Sequence, residues 1–288
     1  MEGVVFLNNE FMQADQAKVS IFDRGYLFGD GVYEVVPVIH SCLIDRDNFL
    51  ERLDYSLSVV GIDWPCSRER YLAMLEELIR RNNLVEGGVY TQVTRGVAPR
   101  DFGFPGDCSP SCMAFALKKK LVDNPLAKSG VSVVTVPDIR WKRRDVKSIA
   151  LLGQCLAKEE AVRKGAFEGW MVEDGFVTEG TSSTAYIVKG QTIVTRPLSR
   201  SILPGIRRKS LLRLARKEKI AIEERLFTVK EALEADEAFL SSATTLVLPI
   251  TQIDGRTIGD GKPGRMAEHL RELYIRMAFE EAGQKTSS

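Results

Sequence analysis

One lysine, one glutamate and two groups of hydroxyl side chains in this sequence have residue types suited to covalent and acid–base chemistry. Lys147 stands in DVKSIALLG, where a charged stretch changes to an apolar one. A lysine desolvated by an apolar flank has a lowered pKa and can act as a nucleophile or form a Schiff base. Taken alone, the same position also fits an ordinary surface lysine, which is the commoner case.

Glu179 lies between a predicted strand and a turn rich in hydroxyls, TSST at 181–184. Turns of this kind commonly satisfy only their own backbone. Farther along, Pro204-Gly205 precedes a predicted helix, and the N–H groups and positive dipole at such a helix start suit a phosphate. The hydroxyls of SSATT (241–245) could serve the same anion. The pattern is not a Walker loop, since no G-K-[ST] follows.

Two polar side chains, Tyr33 on a predicted strand and Arg100 in a long loop, are candidates for binding a carboxylate. The forked guanidinium of arginine matches a carboxylate with two parallel hydrogen bonds. A surface ion pair between Arg100 and the adjacent Asp101 is the alternative.

Composition excludes several other chemistries. The 288 residues carry 40 Lys and Arg against 39 Asp and Glu, so the basic excess typical of nucleic-acid or polybasic membrane binding is missing. Two histidines are too few for a tris-histidine metal site, and the five cysteines complete no zinc pattern. No apolar run reaches the length of about 20 residues that spans a bilayer. We therefore expect a soluble, cytoplasmic protein with free thiols, no metal, and no nucleic-acid or membrane partner.

The elements that must position these residues follow from hydrophobic periodicity and turn residues. The predicted strands are a hairpin around Asn8-Asn9, 32–39, 89–95, 112–118, 131–136 and 167–173, with hairpin turns at Asp174-Gly175 and Asp254-Gly255. The predicted helices are 46–60, one capped by Ser67, 149–164, 206–219 and 264–282. We expect an α+β protein with a small N-terminal subdomain (1–120), a linker (121–125), a larger C-terminal subdomain (126–288) and a disordered tail (283–288).

Six strings, in this order and across nearly the whole chain, resemble the fold-type IV pyridoxal-phosphate aminotransferases, and most closely the bacterial D-amino acid aminotransferases. They are FDRGYLFGDGVYEVV (22–36), FLERL (49–53), YTQVTRGVAPR (90–100), DIRW with DVKSIALLG (138–153), VTEGTSS (177–183) and LPGIRR (203–208). The resemblance implies two subdomains with the active site between them, and a homodimer in which partner loops close each entrance.

The resemblance also implies a role for each matching residue. Lys147 would hold pyridoxal 5'-phosphate as a Schiff base and move the proton at the substrate α-carbon, and Glu179 would pair with the pyridine nitrogen. Arg52 would bind the phosphate, and Leu203 would pack on one face of the ring. The remaining cofactor-binding residues would be Ile206, Arg207, Ser242, Ala243 and Thr244.

On the substrate side, Tyr33 and Arg100 match a carboxylate trap, and Ser182 is assigned beside them. The third member of the trap is a histidine in the family, and Phe102 stands at its position. Losing a charge-assisted contact costs roughly 1.5–3 kcal/mol, which weakens the preference for acids without abolishing it.

The function expected first is ping-pong transfer from a D-amino acid, such as D-alanine, to a 2-oxo acid, such as 2-oxoglutarate. An (R)-selective amine transaminase is the alternative that Phe102 favours. A branched-chain L-amino acid aminotransferase or an aminodeoxychorismate lyase comes third. A binding module without activity is opposed by the presence of both Lys147 and Glu179.

Overall fold

A computed structural model describes residues 3–286 of the chain, which divide into two compact units. The first unit contains the chain up to Lys120, the short segment Val146–Ala150, and the residues from Ala278 onward. The second contains Leu121–Asp145 and Leu151–Met277. Helices and sheets occur in both units, so the predicted α+β class is confirmed.

This division differs from the expected boundaries in two places. The segment 121–125 belongs to the second unit, because Leu121 is buried and its carbonyl accepts a hydrogen bond from Arg271. Asn124 in the same segment caps a short helix through the Leu126 N–H at 3.0 Å. Lys147, expected in the C-terminal subdomain, belongs to the first unit with the rest of 146–150.

The first unit is built on a six-stranded antiparallel sheet with the order β2-β1-β6-β5-β3-β4. Helices α2 and α3 bury Phe49, Leu53, Tyr71 and Leu75. Burying a large apolar side chain stabilises the fold by about 1.5–3 kcal/mol, so these two helices are held mainly by their packing. The elements are β1 (Val4–Leu7), β2 (Glu10–Gln13), α1 (Arg24–Phe28), β3 (Gly31–Ile39), β4 (Cys42–Leu43), α2 (Arg46–Val60), α3 (Arg68–Arg81), β5 (Glu86–Thr94) and β6 (Ser111–Lys118).

The second unit is built on a nine-stranded mixed sheet with the order β12-β11-β10-β13-β14-β7-β8-β9, and β15 pairs with β14. Its core includes Trp170, Phe227 and Leu240, which are fully buried. The elements are α4 (Pro125–Ser129), β7 (Val131–Pro137), α5 (Leu152–Arg163), β8 (Glu168–Glu173), β9 (Phe176–Gly180), β10 (Thr184–Lys189), β11 (Thr192–Thr195), α6 (Ile206–Lys217), β12 (Ala221–Glu224), α7 (Val229–Leu233), β13 (Glu237–Ser242), β14 (Leu246–Ile253), β15 (Arg256–Thr257) and α8 (Arg265–Thr286).

Local signals in the sequence correspond to local structure. Asn8 and Asn9 both have positive φ, as a tight hairpin between β1 and β2 requires, and Gly61 ends α2 with φ 64°. The Ser67 hydroxyl caps α3 by accepting the Arg70 N–H at 3.3 Å. Because α8 continues to Thr286, the expected disorder is wrong for 283–286, and residues 287–288 lie outside the described part. Within residues 3–286, no helix is both long and apolar enough to cross a membrane.

Candidate active site

Lys147 lies on an extended segment whose backbone pairs with strand β3. The Tyr33 N–H donates to the Lys147 carbonyl at 3.0 Å, and Ser148 forms a bridge with Val32. The Lys147 N–H donates to the hydroxyl of Ser56 on α2 at 3.2 Å. The predicted helix 149–164 therefore begins only at Leu152, because the residues before it are held against the sheet of the first unit.

The side chain of Lys147 is half-buried and lies over the ring of Tyr33. The Lys147 Nζ is 4.0 Å from the Tyr33 ring centroid, and Tyr33 stacks on Tyr90 at 5.5 Å. The amine is therefore fixed at its backbone and contacted on one side by an aromatic face. The structure brings together these two residues, which stand 114 positions apart in the sequence (147 − 33).

Arg52 forms a buried, two-point ion pair with Glu34. Its Nε and Nη2 donate to the two Glu34 oxygens at 2.8 and 2.6 Å, and Glu34 is fully buried. Two parallel charge-assisted bonds fix the plane of the guanidinium. No role was predicted for Glu34 from the sequence. A carboxylate inside the apolar strand GVYEVVPVI was the available signal, because a buried charge requires a partner.

Arg100 and Phe102 lie in the exposed loop between β5 and β6. The Arg100 guanidinium carbon is 5.5 Å from the Phe28 ring centroid and 5.6 Å from that of Phe102, which is 78% exposed. The alternative ion pair with Asp101 does not form, because the Asp101 side chain instead accepts the Gly103 N–H at 3.0 Å. Within residues 3–286, no carboxylate pairs with Arg100.

In the second unit, Glu179 is buried at the end of β9 and receives three hydrogen bonds. Arg140 Nη1 is 2.5 Å from Glu179 Oε1, and the Leu203 N–H lies 3.1 and 3.2 Å from the two carboxylate oxygens. Burial raises the pKa of Glu179, while Arg140 and the Leu203 N–H oppose that shift. The structure thus brings together Glu179 and Leu203, two of the residues predicted to bind the cofactor.

Arg140 links Glu179 to a second carboxylate. Its Nε and Nη2 donate to Asp138 at 2.9 and 2.7 Å, and Thr178 donates to the same carboxylate at 2.7 Å. Burial alone would raise the pKa of Asp138, but the Arg140 hydrogen bonds hold it below its ordinary value. No role was predicted for Asp138 or Arg140, although both stand in the string DIRW; their D-x-R spacing after a strand was the available signal.

A cluster of small and hydroxyl residues surrounds the start of helix α6. Gly205 precedes Ile206 and Arg207 and supplies no side-chain cap, and a Cβ added to it would approach the Thr184 hydroxyl to 2.7 Å. Thr184 on β10 lies opposite Ser241 on β13. The predicted residues come directly after Ser241: Ser242 ends β13, and Ala243 and Thr244 lie in the turn that follows. In that turn the Ser242 hydroxyl accepts the Thr244 N–H at 3.3 Å and lies 2.8 Å from the Thr245 hydroxyl. N–H groups of a helix start beside hydroxyls form a donor set suited to a phosphate.

The turn that follows Glu179 is organised by another buried carboxylate, Glu168. Three hydroxyls, those of Thr181, Ser182 and Ser183, donate to it at 2.7, 2.9 and 2.7 Å, and the Ser182 N–H donates at 2.8 Å. Sequence reasoning placed Ser182 on the substrate side and missed Glu168. The signal was an acidic residue in the predicted strand FEGWMVE.

The sequence of this chain matches a known protein family. The model of the family described as amino-transferase class IV matches residues 31–253. The chain therefore belongs to the class IV aminotransferases, and the predicted family is confirmed.

Individual relatives extend this likeness over nearly the whole chain. A D-alanine aminotransferase of Staphylococcus haemolyticus is 42% identical over 273 residues, covering 94% of this chain and 96% of the relative. The solved structure of the branched-chain amino acid aminotransferase of Escherichia coli has a TM-score of 0.91 at 21% identity, covering 96% and 95% of the two chains. A hypothetical aminotransferase of Mycobacterium tuberculosis, solved in a PLP-bound form, has a TM-score of 0.84 at 22% identity, covering 96% and 99%.

Proposed function

We propose that this aminotransferase moves the amino group of a D-amino acid, such as D-alanine, to a 2-oxo acid, such as 2-oxoglutarate, with pyridoxal 5'-phosphate as its cofactor. The observation that carries the proposal is the 42% identity over 94% of the chain with a D-alanine aminotransferase. The likeness to the branched-chain enzyme, at 21% identity, supports the fold and says nothing about the donor.

The residues of the second unit fit a phosphorylated pyridine. A phosphate requires N–H and hydroxyl donors without an intruding side chain, and the cup around Gly205 and the turn at Ser242–Thr244 offers them. A protonated ring nitrogen requires a fixed carboxylate, and Glu179 is fixed by Arg140 and Leu203. When bound, pyridoxal phosphate supplies an electron sink for the negative charge that develops at the substrate α-carbon.

The chain's own residues carry the remaining work. Lys147 Nζ would hold the cofactor, and its free amine would remove and return the proton at the substrate α-carbon. Its backbone bonds to Tyr33 and Ser56 restrict where the amine can reach. Glu179 would keep the proton on the ring nitrogen of the cofactor, and Leu203 would pack on the ring face. Arg52, with its guanidinium plane fixed by Glu34, binds the phosphate.

The donor carboxylate is assigned to Arg100 and Tyr33, and Ser182 is assigned to another part of the substrate. Arg100 is exposed in the described chain and has no carboxylate partner there, so its fork is available to an acid. Phe102, at 78% exposure, offers an apolar surface beside it and donates no hydrogen bond. That residue is the observation that favours the second candidate, transfer from an (R)-amine without a carboxylate.

The test compares donors on one preparation of the holoenzyme with 2-oxoglutarate as acceptor. We expect kcat/KM for D-alanine to exceed that for (R)-1-phenylethylamine by at least about tenfold, which corresponds to one charge-assisted contact of roughly 1.4 kcal/mol. L-alanine, L-leucine and L-isoleucine are the stereochemical controls and should react far more slowly. Preference for the aromatic amine would replace the first candidate by the second, and preference for L-leucine would indicate a branched-chain enzyme. D-alanine alone can release only one pyruvate per bound cofactor, so repeated release of pyruvate from aminodeoxychorismate without any 2-oxo acid would indicate a lyase.

We also propose that the enzyme is a homodimer of the cytoplasm. A group of large apolar side chains in the first unit is more than half exposed, which a lone monomer would leave in water. The group consists of Ile21, Phe22, Tyr26, Val97, Phe102 and Phe104, and the isolated bridge between Asp23 and Val97 joins the two segments that carry these residues. All five cysteines are free thiols, which suits a reducing compartment. Light scattering after gel filtration should give twice the 32.1 kDa chain mass, and Tyr26→Glu should shift the protein toward monomer.

A further inference from the structure

Arg24, the first residue of helix α1, is a buried arginine for which the proposed mechanism has no use. It is 2% exposed, its N–H donates to the Gly96 carbonyl at 2.8 Å, and its Nε lies 2.7 Å from Asp30. Burying a guanidinium is costly unless its donors are satisfied. The groups that accept hydrogen bonds from its remaining N–H donors therefore indicate its structural role.

The other end of the Arg24 side chain holds the loop that carries Arg100. Its Nη1 donates to the carbonyls of Asp101 and Gly103 at 2.6 and 3.2 Å, and its Nη2 lies 3.5 Å from the Phe102 carbonyl. The guanidinium carbon is also 4.8 Å from the Phe28 ring centroid, the same ring that Arg100 overlies at 5.5 Å. Arg24 thus holds the backbone directly after Arg100 and shares its aromatic support.

This anchor is itself fixed to the sheet and to helix α2. Asp30 accepts a second arginine, Arg95, whose Nε and Nη2 lie 2.8 and 3.1 Å away. Arg95 also donates to the carbonyls of Val60 and Gly61, both at 2.7 Å, at the end of α2. The loop from Asp101 to Gly103 has one side-chain bond of its own, from the Gly103 N–H to Asp101. Its position therefore depends on Arg24.

We propose that Arg24 is a positioning residue for recognition of the substrate carboxylate. It does not touch the substrate; it holds residues 101–103 so that Arg100 presents its guanidinium in one place. The inference rests on the proposed function in that Arg100 binds the carboxylates of the donor and of the 2-oxo acid. The Arg100 side chain then loses its conformational entropy when the protein folds, and not each time a substrate binds.

The test uses holoenzyme variants in the first half-reaction, with donor alone and the cofactor absorbance as signal. Arg24→Lys keeps the charge but cannot reach three carbonyls, and Asp101→Ala weakens the same loop without touching the buried arginine. Arg81→Lys is the matched control, since Arg81 pairs with Glu77 and overlies Phe11 but bonds no loop carbonyl. Absorbance before donor addition should be unchanged in all three.

For Arg24→Lys we expect half-saturation by D-alanine to need about tenfold more donor, with the maximal rate within about threefold, the pattern of lost uniform binding. The reaction with (R)-1-phenylethylamine, which has no carboxylate, should not change. Asp101→Ala should show the same effects more weakly, and it carries the test if Arg24→Lys does not fold.

Two failures are distinguishable. If the wild type does not react with D-alanine, the proposed donor is wrong, and the KM for 2-oxoglutarate, which also has a carboxylate, decides the role of Arg24. If the wild type reacts as proposed, the inference is overturned when both variants keep their half-saturation by D-alanine. It is also overturned when the amine reaction slows by the same factor.

Discussion

Replacing Glu34 by glutamine tests whether Arg52 faces an anion. Glu34 is fully buried and binds the Arg52 guanidinium at 2.6 and 2.8 Å. Glutamine keeps the size of the side chain and one oxygen, but its amide group opposes one of the two donating nitrogens. The substitution therefore removes the compensating charge and one hydrogen bond while leaving the cavity filled.

The expected loss of stability follows from the burial of this pair. Removing one partner of a buried ion pair costs about 3–5 kcal/mol, and we expect the lower end because one hydrogen bond survives. An anion that reaches Arg52 would restore the missing charge. At a phosphate concentration of 100 times its Kd, binding to the folded state alone adds about 2.7 kcal/mol. Without the competing Glu34 charge the variant should bind phosphate more tightly than the wild type, and the deficit shrinks by the difference between the two stabilisations.

The assay is urea unfolding of the apoenzyme with and without inorganic phosphate, at ionic strength matched by chloride. Phosphate should reduce the difference in the free energy of unfolding between Glu34→Gln and the wild type. Glu76→Gln is the control, because Glu76 is exposed on α3 and the same change there should cost less than about 0.5 kcal/mol. Equal stabilisation of the wild type and Glu34→Gln by phosphate would refute the assignment of Arg52 to the phosphate.

Three further substitutions test the remaining assignments. Lys147→Ala should abolish the absorbance of lysine-bound cofactor and nearly all turnover, as read by spectrophotometry, because no other residue is assigned to hold the cofactor covalently. Arg140→Met should destabilise the protein by about 3–5 kcal/mol at pH 7, since Asp138 and Glu179 lose their shared cation. Without that cation the pKa of Glu179, already raised by burial, rises further, and the pKa of Asp138 is no longer lowered by Arg140. Groups whose folded-state pKa is raised favour folding below the unfolded pKa and lose that contribution as pH rises, so urea unfolding should show a smaller loss of stability at pH 5 than at pH 7. Phe102→His restores a donor and should raise the kcat/KM ratio of D-alanine to (R)-1-phenylethylamine by about tenfold.

Each of these predictions has a matched comparison and a contrary result. Lys164→Ala changes the exposed residue that directly follows α5 and should keep both absorbance and turnover. Substantial transamination by Lys147→Ala would refute the lysine assignment. Arg163→Met removes only an exposed helix pair and should have no comparable pH-dependent deficit. If Arg140→Met loses the same free energy of unfolding at pH 5 and at pH 7, then Arg140 does not control the pKa values of Asp138 and Glu179. An unchanged donor ratio in Phe102→His would remove position 102 from substrate recognition.

The elements of this fold were predictable where the determining contacts are local. Helix α2 ends at Gly61 and the β1–β2 hairpin turns at Asn8-Asn9, because those residues tolerate positive φ. The start of α5 was misplaced by three residues, since the segment before it is held by backbone bonds to β3, more than 100 positions away. No local pattern encodes such a contact.

The candidate site divides in the same way. Lys147 and Glu179 could be named from their strings, because each role depends on one residue type at one place. Their supporting partners could not, since Arg140 reaches Glu179 across 39 positions and Arg24 reaches Asp101 across 77. Acidic residues inside apolar strands, and the D-x-R spacing after β7, were the usable signs of such pairs. The acidic residues showed that a partner was needed without showing which one.

The carboxylate of Glu168 has a consequence for the polarity of the turn that it holds. A hydroxyl has one proton, and those of Thr181, Ser182 and Ser183 all point toward Glu168. What the exposed Ser182 hydroxyl turns toward a ligand is therefore its lone pairs. In sequence this turn looks like a set of hydrogen-bond donors, but in the folded protein it presents an acceptor. It should bind an ammonium or amine hydrogen and repel a carboxylate oxygen. An amino acid beside this turn should therefore place its amino group, and not its carboxylate, next to Ser182.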